Sequence, residues 1–71
     1  MYLDCDTTPP IRSRHVKCAK VTTAVNKAKH LIKCYRGEGQ IGIYEHGHGG
    51  QFYGYVIRQD GEVYFEPAEY E

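Results

Sequence analysis

A chain of 71 residues with nine basic and nine acidic side chains has no net charge, and its size allows one domain that buries only about 60% of the surface its unfolded chain would expose. So thin a core leaves few residues to wall off the dry, several-sided cleft that most enzymes need, which points to a non-enzymatic protein. No apolar run approaches the roughly 20 residues that cross a bilayer, and the opening MYLDCDTTPP lacks a basic region followed by an apolar stretch, so a soluble, cytoplasmic protein is expected.

Cys5, Cys18 and Cys34 are odd in number and irregularly spaced, which favours reduced thiols over a disulfide framework. Charge is split along the chain. Up to Gly37, eight basic residues (Arg12, Arg14, Lys17, Lys20, Lys27, Lys29, Lys33, Arg36) face Asp4 and Asp6; from Glu38 onward Arg58 faces seven acids. A surplus of six on each side suits either two halves that attract each other or a surface for a charged partner.

Residues 1–10 end in Pro9-Pro10, which cannot donate to a sheet interior, and are expected to form a lead-in arm before a single domain of residues 11–71. Ile11 to Val21, IRSRHVKCAKV, alternates imperfectly and suggests a first strand, with Val16 and Cys18 on one side and His15 and Lys17 on the other. Thr22 and Thr23 are candidate helix N-caps. After them Ala24, Val25, Ala28, Leu31, Ile32 and Tyr35 fall within an arc of about 120° at helical spacing, the width of a helix packed on one side. Gly37 offers the left-handed residue that ends many helices, and Lys33 and Arg36 suit the negative end of the dipole. QIGIYEH reads as a strand with Ile41 and Ile43 facing one way and Gly42 and Tyr44 the other, and GHGG as a loop.

In QFYGYVIRQDGEVYFEP, Asp60-Gly61 between alternating runs is a strong signal for a two-residue hairpin turn. Pairing Gln59 with Glu62 sets Arg58 against Val63, Ile57 against Tyr64, Val56 against Phe65 and Tyr55 against Glu66. Cross-strand partners share a face. Phe52, Val56, Val63 and Phe65 then form a core face; Tyr53, Tyr55, Ile57 and Tyr64, with Gln59, Glu62 and Glu66, form an amphipathic one.

The expected fold is α+β, one amphipathic helix packed on one face of a small three- to four-stranded mostly antiparallel sheet in the order β-α-β-β-β. A single helix leaves the opposite sheet face bare. That face, Tyr53, Tyr55, Ile57 and Tyr64 with Tyr44 extending it and Glu62 and Glu66 beside it, reads as a contact surface for a larger protein or nucleoprotein complex, or for a second copy of the chain. The alternative is that tyrosines simply fit pleated strands. The glutamates repel phosphate, so nucleic acid is better matched to the basic helix residues Lys20, Lys27, Lys29, Lys33 and Arg36, giving a second candidate function.

His30, Cys34, His46 and His48 are donors of the kind zinc takes. The first two fall on the helix arc opposite the apolar stripe and the others in a loop of the sheet, so no metal or other cofactor is expected. Neither a nucleophile triad around a cysteine nor a phosphate loop in GHGG, which lacks a following helix N-terminus, is identifiable. A short chain with one helix, few strands, a charged face and a tyrosine-rich face, from about Val16 to Pro67, looks like the small phage-encoded inhibitors of host defence complexes, anti-CRISPR proteins among them. That resemblance of layout implies a protein that acts by occluding a site on a larger assembly.

Overall fold

Alternation in YLDCDTT turns Leu3, Cys5 and Thr7 to one side and Tyr2, Asp4 and Asp6 to the other, the period of a half-buried strand. The computed structural model, which describes residues 1–36, 38–46 and 50–68, realises this as β1 (Tyr2–Thr8). It is followed by β2 (Arg14–His15), α1 (Val21–Cys34), β3 (Glu38–Tyr44), β4 (Phe52–Gln59) and β5 (Glu62–Pro67). The fold is α+β, with α1 packed on one antiparallel sheet of five strands in the order β2-β1-β3-β4-β5, one or two strands more than expected.

The extra strand comes from the segment expected to be an arm. Tyr2–Thr8 pairs along its whole length with Tyr44–Glu38. Pro9 and Pro10 end this strand rather than set it apart. The buried Thr7 hydroxyl donates to the Pro9 carbonyl at 3.0 Å and accepts from the Ile11 N–H at 3.0 Å. The turn so closed brings Ile11 into the core at 5% exposure.

The strand expected over residues 11–21 contracts to Arg14–His15, extended by reciprocal bonds in which the Val16 N–H donates to the Met1 carbonyl and the Met1 amine to the Val16 carbonyl. It goes no further because the Cys5 N–H donates to the Ser13 hydroxyl at 2.9 Å instead of to a strand carbonyl.

Helix α1 starts one residue before the threonines. Lys20 is the cap residue, with φ −121° and ψ 142° and no side-chain cap bond, and Thr22 and Thr23 lie inside the first turn instead of capping it. Val21 packs against the core, which draws the helix start toward the sheet. Ala24, Val25, Ala28 and Ile32 are buried; Ala24 and Ala28 are small enough to let the helix approach β3, β4 and β5 closely. Tyr35, expected in the stripe, is the C-cap and 56% exposed, because the helical path ends before it can turn inward. Gly37 and residues 47–49 of the glycine-rich loop lie outside the described residues.

The core joins Leu3, Ile11, Ile41, Ile43 and Val56 to the helix stripe, with Val63 and Phe65 packed at its margin. Arg58 also lies on this side, its guanidinium donating to the Ile32 carbonyl at 3.4 Å, a cation near the C-terminal end of α1 where the helix dipole favours one. Asp60 at φ 54° and Gly61 at φ 81° form the hairpin turn, and the β4–β5 register is the one that turn dictates, Gln59 opposite Glu62 through Tyr55 opposite Glu66.

One irregularity changes the faces. Ile43 lies opposite Gly54 and Tyr44 opposite Phe52, so Tyr53 is an extra residue, a β-bulge, and side-chain parity inverts before Gly54. Tyr53 therefore packs against the core, not on the tyrosine face, and Phe52 leaves the core for the opposite side, where it meets Tyr44 and Tyr55.

Candidate functional site: the open face of the sheet

On the side away from α1, alternation exposes Tyr2, Asp4 and Asp6 from β1, Gln40 and Tyr44 from β3, Phe52, Tyr55 and Ile57 from β4, and Glu62, Tyr64 and Glu66 from β5. Among the described residues, no helix or strand lies over them. The rings form a row. His15 of β2 and Tyr2 have centroids 4.7 Å apart; Tyr2 pairs across the ladder with Tyr44; Tyr44 and Phe52 are 5.0 Å apart, and Phe52 and Tyr55 4.8 Å at a steep angle. These are separations at which aromatic pairs attract.

Gly42 forms the floor of the row. A Cβ there would lie 3.1 Å from Tyr44 Cε2 and 3.4 Å from Tyr55 Cε1, so the missing side chain is what lets both rings lie low over β3. Partial burial, then the neighbouring Tyr55 phenol and the Asp4 carboxylate, push the Tyr44 phenol above its ordinary pKa. Beside the row, Gln40, Phe52, Tyr55, Ile57, Glu66 and Pro67 enclose a shallow depression of about 310 Å³.

Charge on this face has one sign. Asp4 and Asp6 flank the rings on β1, Glu62 and Glu66 on β5, and no strand position facing this way carries lysine or arginine. Three strand spacings separate the two acidic borders, about 14 Å. Tyr64, 42% exposed, sits on β5 between Glu62 and Glu66 with Ile57 opposite it.

Of the residues expected to form a contact surface, Tyr44, Tyr55, Ile57, Glu62, Tyr64 and Glu66 share this face and Tyr53 does not. Tyr2, Asp4, Asp6, His15 and Phe52 belong to it and were not foreseen. The alternation of YLDCDTT was the available signal for the β1 residues; Phe52 had none, since a bulge depends on the neighbouring strand.

The basic residues do not form one stripe. Lys20, Lys27, Lys33 and Arg36 are exposed and Lys29 is half-buried, and Lys27 and Lys29, two apart on a helix, point about 160° away from each other. His30 Nε2 and Cys34 Sγ lie 3.4 Å apart one helical turn from each other. His46 is 83% exposed beside Glu45, His48 lies outside the described residues, and among the described residues no three metal-binding side chains converge. Burial pushes the Cys5 thiol above its ordinary pKa, with Arg14 opposing and Asp4 adding, the reverse of what a nucleophile requires.

No family model, curated protein or solved structure matches the chain. No helix among the described residues is long and apolar enough to cross a membrane.

Proposed function

We propose that the chain is a small non-enzymatic binding protein that docks through the open sheet face onto a basic surface of a larger protein or nucleoprotein complex and blocks that surface to other ligands. The observation that carries this is the uncovered row of aromatic rings bordered on both sides by carboxylates, with no cation among the strand positions of the face. Tyrosine and phenylalanine anchor interfaces because they bury large area at little rotamer cost. Carboxylates around them steer and orient a cationic partner. A surface of that charge is one that ordinarily receives nucleic acid, and its occlusion is how a phage-type inhibitor of a host defence complex, anti-CRISPR-like in layout, would act.

Binding of nucleic acid by the chain itself is the weaker alternative, because the lysines of α1 diverge around the helix and the aromatic face is acidic. Capture from a host lysate by the wild-type protein and by a Tyr55→Ala, Tyr64→Ala variant tests the assignment. Loss of a central anchor is worth about 2 kcal/mol or more, so the variant should recover at most a few per cent of the partner. Equal recovery by both proteins would reject the face, and a symmetric dimer lost in the same variant by light scattering would make the partner a second copy of the chain.

A further inference from the structure

Helix α1 lies over β3, β4 and β5, so the β1–β2 end of the same sheet face lacks helix cover, and a cleft of about 430 Å³ opens between the helix flank and these strands. Its apolar lining is Val16 and Leu31 over the buried Leu3; its cations are Arg14 and Lys27, and Thr23, Asn26 and His30 complete the polar lining. Lys27, His30 and Leu31 meet there because positions i, i+3 and i+4 of a helix share one flank. Arg14 is held by a bond from its Nε to the Arg12 carbonyl at 3.1 Å, and His30 by its contact with the Cys34 thiol. No carboxylate is among the described residues lining the cleft.

We infer that this cleft binds a small molecule with an apolar chain and a terminal carboxylate. Its volume lies in the range of about 300–1,000 Å³ that holds small ligands. A protein partner would need about 800 Å² of surface on this side, far more than a cleft lined by eight described residues presents. The apolar lining has nothing to offer a small hydrated anion, and the cations would repel an amine, which leaves an apolar body with an anionic head. This site is on the opposite side of the sheet from the docking face, so either can fail alone.

Titration of the ¹⁵N-labelled protein with octanoate, and in parallel with 1-octanol, tests the assignment. Octanoate should shift the amides of Leu3, Val16 and Leu31 and bind at least tenfold more tightly than octanol. Lys27→Glu, at an exposed position, should weaken octanoate at least tenfold, and Lys33→Glu, on another flank of the helix, should leave it unchanged. No saturable octanoate binding, equal affinity for the alcohol, equal effects of the two substitutions, or shifts confined to Tyr55 and Tyr64 would overturn it.

Discussion

A methyl group at Gly54 would run into the Glu66 carbonyl and the Phe65 ring, at a backbone φ of 142° that side chains rarely adopt. Strain and overpacking together are expected to make Gly54→Ala less stable by roughly 2–5 kcal/mol in urea denaturation. Gly42→Ala differs in kind. Its new methyl meets only the edges of two rings that can tilt, so stability should fall by less than about 1.5 kcal/mol while docking weakens through displaced Tyr44 and Tyr55. The ionisable side chains of Cys5 and Tyr44 both have pKa values raised in the folded state. A raised pKa means that the folded chain holds the proton more tightly than the unfolded one. The resulting stability is fully present below the unfolded pKa and lost as pH rises through the folded one. Unfolding free energy should therefore decline as pH rises through about 8.5, where an ordinary thiol is half ionised, and Cys5→Ala should flatten the first part of that decline; a stability profile flat up to pH 10 would contradict it.

Elements governed by local chemistry were legible in the residues. The apolar stripe from Ala24 to Ile32 and the Asp60-Gly61 turn with its register need no knowledge of distant neighbours, and both form as their spacing dictates. What depends on a partner strand was hidden. Pro9-Pro10 masked a strand whose alternation is plain once β3 is beside it, and Tyr53 becomes an extra residue only opposite Ile43 and Tyr44. The helix start shows the same competition: packing of Val21 outweighed the capping preference of Thr22 and Thr23, leaving Lys20, a cation, at the positive end of the dipole, with no side-chain cap and no acid in the first turn. Lys20→Asp should thus raise stability by about 1 kcal/mol, seen as a higher urea midpoint. An unchanged or lower midpoint would mean that Lys20 contributes through another contact.

For the whole molecule, the charge imbalance along the chain becomes a difference between two layers. Acids of β1 and β5 border one side of the sheet, and the lysines of α1 occupy the other. Tyr55, Ile57, Glu62, Tyr64 and Glu66 of the docking face could be inferred from the hairpin alone, whereas Tyr2, Asp4, Asp6 and His15 join it only through the sheet order that sets β1 and β2 beside β3. The acids on both borders make it a face for a cationic partner rather than a generic aromatic patch. Radical footprinting of the free protein and of the complex recovered from lysate, resolved by residue, tests this most directly. Phe52, Tyr55 and Tyr64 should be labelled in the free protein and protected in the complex, with the labelling of Tyr53, His30 and Leu31 unchanged. Protection confined to Tyr53, His30 and Leu31, on the other side of the sheet, would contradict it.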